Sequence, residues 1–399
     1  MKRHSGMWRY DTIGFRTVRA FVVLLGVIML PIAMAVGVAP VPAVASSKVT
    51  ITFSEYPRVN EGDLLKEMIA SFEAKNPDIK IEYQPLDASG AAITKLTTAM
   101  VGGTAPDVLC FWGPTFRAWG GMGLLLNLNP YIEKYMKGDV ADFNQSQLQT
   151  FNYKGAQFAL PQYTGTTAYY YNRDAYEVAG LKDPDLNFDW DTLLKNSMKL
   201  TVRRGDRTVQ WGFRPYYQME RVAMYVRQNG GDVMTPGDNS VCTMDSPQAI
   251  EAVEFLAEMH HKYRVAPLAA DLANRSDREM FNSGALAAAA DGSWSLSTIQ
   301  PSGFDLGIAH LFKKVTRNSM TNIDGYAIFQ GTKHPEEAFR WLAYLVSPEA
   351  NLLRAKYQGL QPARTSVGDA VDCSAAAKIS ASTEGESAGF RGSRRLQPD

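Results

Sequence analysis

Cysteine is nearly missing. The 399 residues hold three, Cys110, Cys242 and Cys373, with no C-x-x-C pair. An odd number at these spacings forms no disulfide framework and suggests no thiolate metal site. Cys110 lies in an apolar run and reads as a small buried hydrophobe. An excess of charge of one sign is also missing, since 41 Lys+Arg face 41 Asp+Glu. Residues 1–45 carry five of the bases and one acid, so the remainder holds 36 bases against 40 acids, a net of −4. That mildly acidic balance gives no basic face for nucleic acid. There is no G-x-S-x-G, no H-E-x-x-H and no Walker-type loop, so no catalytic constellation is expected. His260 and His261 are adjacent on a helix, where side chains diverge by about 100°, a poor geometry for a metal. Neither a metal nor a cofactor is expected. A long hydrophobic run occurs once, at 20–39.

That run follows Lys2, Arg3, Arg9, Arg16 and Arg19 and precedes Ala43-Val44-Ala45. A basic segment, an apolar segment and a small-x-small site read as a cleavable signal peptide over 1–45, with Ser46 as the mature N-terminus. The run is long enough to span a bilayer as an uncleaved anchor, but Pro31 and the A-V-A site favour cleavage. No Arg-Arg pair precedes the run and no Cys follows it. The expectation is an exported, periplasmic protein without a lipid anchor. The remaining length suits about two domains.

The stretch 102–112, G-G-T-A-P-D-V-L-C-F-W, is the centre around which the chain is organised. A helical segment at 91–101 stops at Gly102-Gly103. Val108 to Phe111 is continuously apolar, as in a strand buried on both faces of a parallel sheet. It ends at Trp112-Gly113-Pro114. Ligands of open α/β sheets bind beyond the carboxyl ends of the strands, so Trp112 is a candidate platform. Strand 48–53, a helix opened by Asn60 and strand 79–83 make a βαβ unit with a right-handed crossover. Residues 162–167, with Gly165 and three threonines, read as a hinge crossing before strand 168–172. Asp189 opens one helix and Ser246-Pro247 another. A strand is expected at 209–213, a small-residue strand at 285–290 and a returning strand at 323–329. From about 367 the composition turns to Ser, Ala, Gly and Arg without periodicity and reads as a disordered tail.

Five segments in order carry a resemblance. They are G-G-T-A-P-D-V at 102–108, L-P-x6-A-Y-Y-Y-N-R-D-A-Y-E-V-A-G-L at 160–181, D-W-D-T-L-L at 189–194, F-N-S-G-A-L-A-A-A-A-D-G-S-W at 281–294 and H-P-E-E-A-F-R-W-L-A-Y-L-V-S-P-E at 334–349. Over roughly 48–366 the chain resembles the extracellular solute-binding proteins of the carbohydrate type, which include maltose- and glycerol-phosphate-binding proteins. The resemblance implies an α/β, two-lobed periplasmic-binding-protein fold of class II type, with the ligand cleft between lobes joined by crossing strands. The N-terminal lobe would hold 46–162 and 327–352, and the C-terminal lobe 163–326 and 353–366, with crossings near 162–167 and 323–328. It also implies a monomer that delivers a sugar or oligosaccharide to the transmembrane permease of an ABC importer, whose ATPase subunits act indirectly. After Arg364 only 35 residues remain, 367–399 looking unrelated to the family pattern, as a shifted or truncated frame would leave them.

Sugars need aromatic rings for their C–H faces and carboxylates, amides and hydroxyls for their hydroxyl groups. On that chemistry the candidate ligand-binding residues are Glu55 and Trp112 from the first lobe, and Tyr163 and Thr166 at the crossing. Tyr216, Asp291 and Trp294 come from the second lobe, with Tyr217 an open alternative to Tyr216. The resemblance adds Gly325, where the backbone would approach the ligand, and Arg364. Trp190 is expected to pack. Of Tyr169, Tyr170 and Tyr171, one set is expected in the core. A phosphorylated polyol or another anion is the alternative ligand, which would need two or more of Arg58, Arg173, Arg214 and Arg364 to converge. A polysaccharide-acting enzyme using Glu55 and Asp291 as an acid/base pair is a further alternative.

Overall fold

The computed structural model describes residues 48–370 apart from 59, 87–90, 216–217, 236–239, 273, 297 and 300–302. The expected signal peptide, the tail beyond 370 and Cys373 lie outside the described residues. Strands β1 (Val49–Glu55), β2 (Ile79–Pro85) and β3 (Val108–Trp112) are mutually parallel through β1, and helices Glu61–Lys75 and Ala92–Val101 connect them. Strand parity explains the apolar run of β3. Val108 and Cys110 enter the core that holds Leu64, Met68 and Trp341, while Leu109 and Phe111 enter the opposite one with Leu96 and Trp119. A strand covered on both faces has no polar side to show.

The chain continues through the hairpin β4 (Asn152–Tyr153) and β5 (Ala156–Gln157), then β6 (Ala159–Pro161) and β7 (Tyr163–Asn172). β6 stays in the first sheet and β7 is the spine of the second. An exposed hairpin, β8 (Val202–Arg204) and β9 (Arg207–Gln210), precedes β10 (Ala288–Gly292) and β11 (Leu306–Ala309), which flank β7 antiparallel. Ala288, Ala289 and Ala290 sit opposite Tyr171, Tyr170 and Tyr169, so each large ring meets a methyl group. All three tyrosines are buried, on alternating faces of the sheet. β12 (Thr321–Asn322) returns along β7, β13 (Asp324–Ile328) inserts between β3 and β6, and β14 (Gln361–Pro362) pairs with the start of β7. The result is two α/β lobes joined by adjacent strands. Among the described residues no helix is long and apolar enough to cross a membrane.

Four sequence expectations change. The 162–167 hinge is not a separate irregular stretch, because from Tyr163 it belongs to the ten-residue β7. The 209–213 strand is β9 plus isolated bridges at Trp211 and Arg214. β13 belongs wholly to the first sheet, so the return crossing falls before Asp324. Residues 353–366, expected in the second lobe, pack on the first: Ala363 joins its core and its amide donates to Asn351 Oδ1 at 2.9 Å. At finer scale, Asn60 does not cap its helix with its side chain. It adopts φ 57° and donates Nδ2 to the Tyr357 carbonyl at 3.0 Å. Asp189 and Ser246 do cap theirs, accepting from the amides of Thr192 and Ala249.

Candidate functional site at the crossings

β1 ends at Glu55, whose carboxylate is fully buried. Arg354 donates to it from Nη1 at 3.0 Å and Nη2 at 3.3 Å, Tyr326 Oη donates at 3.1 Å, and Gln162 Nε2 donates as well. Arg354 Nη1 also lies 3.8 Å from Glu61, whose other oxygen accepts from Gln358 at 2.6 Å. One guanidinium thus serves two carboxylates. Burial, and then repulsion from Glu55, push the Glu61 carboxyl up to about 7. The expectation that Glu55 accepts a ligand hydroxyl meets an obstacle here, since both its oxygens are engaged inside the first lobe. For the same reason it is no free partner for Asp291 in acid/base chemistry.

Three residues beyond Glu55, Arg58 reaches the crossings. Its Nη1 donates to Gln162 Oε1 at 3.1 Å, Nη2 pairs with Asp324, and the guanidinium lies 5.2 Å from the centre of the Tyr163 ring. Gln162 precedes the outgoing β7 and Asp324 begins the returning β13, so one side chain holds both connections. Burial, and then the Asp324 carboxylate, push the Tyr163 hydroxyl well above its ordinary value, keeping it a donor. Trp112 closes β3 directly opposite Asp324 and is half-buried. Tyr56 packs on Phe111 at 5.1 Å and is also half-buried.

The second lobe brings its own set to the far end of the same strand. Thr166 is buried, with Oγ1 3.0 Å from Ser319 Oγ, and its amide donates to Ser293 Oγ at 3.3 Å. Near the end of β10, Asp291 takes Arg278 Nε at 3.2 Å and lies 3.5 Å from Arg221 Nη2. Arg278 Nη2 also donates to Ser295 Oγ at 2.5 Å. Arg214 pairs with the neighbouring Asp277. The half-buried Trp294 indole covers Gly292 so closely that a Cβ there would lie 2.2 Å from ring atoms. Tyr163 and Thr166 are three residues apart on β7, about 10 Å at ~3.3 Å per residue.

Trp112, Tyr163, Thr166, Asp291 and Trp294 therefore gather at the two ends of the crossing. Tyr216 and its alternative Tyr217 lie outside the described residues. Gly325 and Arg364 go elsewhere. A Cβ on Gly325 would meet the Phe151 ring at 2.6 Å, so the constraint there is a packed phenyl within the first lobe. Arg364 is buried in that lobe, held by Val346 O at 2.5 Å, Asp139 at 2.7 Å and Asp142 at 3.2 Å. Arg58, Arg173, Arg214 and Arg364 do not converge, since each has its own aspartate partners. Trp190 packs as expected, stacked on Phe255 at 4.5 Å. Sequence reading missed Asp324, Arg221, Arg278 and Ser293, and it singled out Arg58 only as a possible anion ligand. Asp324 and Ser293 adjoin strand ends already marked as ligand edges, which was the available signal, whereas Arg221 and Arg278 come from helices that only the fold brings to Asp291.

Residues 56–352 match the family of bacterial extracellular solute-binding proteins. The chain belongs to that family. Its members and structural neighbours are substrate-binding proteins rather than enzymes. The chain is similar to the arabinooligosaccharide-binding protein of Halalkalibacterium halodurans, 24% identical over 325 residues, covering 77% of this chain and 70% of that one. Among solved structures it is similar to an ABC substrate-binding protein from Listeria monocytogenes in complex with cycloalternan, at TM-score 0.77 and 25% identity, covering 85% and 87% of the two chains. UgpB from Mycobacterium tuberculosis in complex with glycerophosphocholine shares the fold at TM-score 0.72 and 21% identity, covering 83% of each chain.

Proposed function

We propose that this solute-binding protein is the extracytoplasmic receptor of an ABC importer and binds a neutral carbohydrate at the crossings between its lobes. It would act as a monomer in the periplasm and pass its ligand to the membrane permease. The observation that carries the reading is a half-buried indole at each sheet edge, Trp112 and Trp294, beside side chains that can donate and accept. Indole faces suit the C–H faces of a sugar ring. The polar groups beside them are Tyr163, Arg58 and Asp324, which are paired with each other, and Asp291, which is paired with Arg278 and Arg221. A ligand's hydroxyls would share or replace those pairings in a largely buried site. A ligand that leaves these groups unpaired on closure forfeits about 1–3 kcal/mol for each, which is the origin of selectivity. A related protein named for arabinooligosaccharide and one solved in complex with cycloalternan support the ligand class.

A second reading has its own observation. Arg214, Arg221 and Arg278 share the neighbourhood of Asp277 and Asp291 at the second-lobe edge. Three guanidiniums against two carboxylates suit a phosphate ester, and UgpB was solved with glycerophosphocholine. A thermal-shift screen of the chain from Ser46 onward separates the two readings. Mono- and oligosaccharides, polyols and sugar phosphates are tested at matched ionic strength. A ligand at 100 times its Kd stabilises the folded state by about 2.7 kcal/mol. Neutral saccharides are expected to raise the melting temperature. A response confined to phosphorylated compounds would reject the neutral-sugar reading in favour of the second.

A further inference from the structure

The second lobe contains another concave site. An open basin of about 810 Å³ has Trp211, Met280 and Ala285 among the residues that line it. Four arginines line it too: Arg203 and Arg207 from the β8–β9 hairpin, Arg264, and Arg275. It is remote from the crossings. Trp211 bridges Leu286, whereas β10 meets the crossing at Gly292 opposite Thr167. Six residues of extended chain separate those points by about 20 Å.

Charge pairing in this lobe is uneven, and outside the basin Arg317 too donates to backbone carbonyls, those of Leu311 and Leu186. In the same lobe Arg173, Arg214, Arg221, Arg227 and Arg278 are each ion-paired with an aspartate. Among the described residues, none of the four basin arginines forms a close ion pair, although the Glu279 carboxyl, lowered mainly by hydrogen bonds from Ser276, is also lowered by the charge of Arg275. Arg203 donates to the Arg264 carbonyl at 2.9 Å and Arg275 to the Leu272 carbonyl at 3.4 Å. Asp206 and Asp271 also line the basin, and Asp271 is spent on the Leu268 amide at 2.8 Å. The local balance remains positive. Arg264 holds φ 51°, an uncommon conformation for a residue with a side chain.

We propose that this basin is a second ligand site, independent of the crossings, for a compact multivalent anion of the phosphate class. Guanidinium forks match the several oxygens of such a group, and more than one arginine can serve each phosphate. The apolar floor of Trp211 and Met280 leaves room for an organic part attached to it.

Inorganic pyrophosphate is the probe, titrated calorimetrically into the chain from Ser46 onward against a chloride control of equal ionic strength. Saturable binding is expected. Arg207→Glu with Arg264→Glu should weaken it at least tenfold, and the milder Arg207→Gln with Arg264→Gln at least threefold. Arg204→Glu should leave it unchanged, because Arg204 is exposed on the same hairpin but does not line the basin. Melting curves without probe confirm that each variant folds. Absence of saturable binding, or an equal loss in Arg204→Glu, would overturn the proposal. So would sedimentation with phosphatidylglycerol vesicles without pyrophosphate binding, which would make the basin a membrane-facing patch instead.

Discussion

Glu61 is buried beside Glu55, and the Arg354 guanidinium between them only partly offsets the burial and the repulsion. The folded pKa of Glu61, about 7, is raised from 4.5 chiefly by burial and then by Glu55. The folded state therefore holds that proton more tightly than the unfolded chain. The stabilisation is complete below pH 4.5 and is lost as pH rises toward 7. Glu61→Gln is expected to flatten that slope and to raise the melting temperature at pH 8. His260 works in the opposite sense. Burial lowers its pKa from 6.5 to about 4, so stability falls as pH drops through that window. The measurement is thus the difference between variant and parent at each pH, and a constant difference from pH 4 to 8 would refute the assignment. Arg354→Met leaves Glu55 buried without its counter-charge and is expected to cost about 3–5 kcal/mol in chemical denaturation. A cost below about 1 kcal/mol would mean that solvent reaches Glu55. None of this was legible at Glu55 itself. Its partner lies 299 residues on, and Arg364 finds Asp139 across 225 residues. Residue chemistry marked Glu55 as an acceptor, but only the tertiary fold supplies Arg354.

At the scale of elements, local signals served well where one element decides its own form. The caps at Asp189 and Ser246, the parallel β1–β2 pair and the two-faced burial of β3 all follow from spacing and residue type. β7 was harder. Gly165 and its threonines suggest freedom, yet β14 pairs with 163–164, β12 with 165–166, and β10 with 167–171. Neighbours distant in sequence turn a flexible composition into one strand. The same packing makes two glycines intolerant of a side chain. A Cβ on Gly307 would lie 2.2 Å from the Tyr171 ring, and one on Gly212 would lie 2.0 Å from the Ser197 carbonyl oxygen. Gly307→Ala is expected to cost about 1–3 kcal/mol as overpacking. Gly212→Ala should cost at least as much, because backbone rather than a ring must move. Unchanged melting of either variant would contradict the packing described.

For the whole molecule, the fold and its family were readable from five ordered segments, and the position of Trp112 at the end of β3 from that stretch alone. The membership of 353–366 was not, because that segment is held by Asp139, Asp142 and Asn351 of the first lobe. The functional consequence is that the candidate ligand groups come from both lobes, Trp112, Arg58 and Asp324 on one side and Asp291 and Trp294 on the other. A ligand touching both sets would favour lobe closure by its differential affinity for the closed form. The most direct test is calorimetric titration of the saccharide that stabilises the protein most, into the parent chain and into Trp112→Ala and Trp294→Ala. The expected result is one site in the parent and at least tenfold weaker binding in each variant, with the variants' unliganded melting temperatures close to that of the parent. Parent-like affinity in both variants would contradict a carbohydrate site between the lobes.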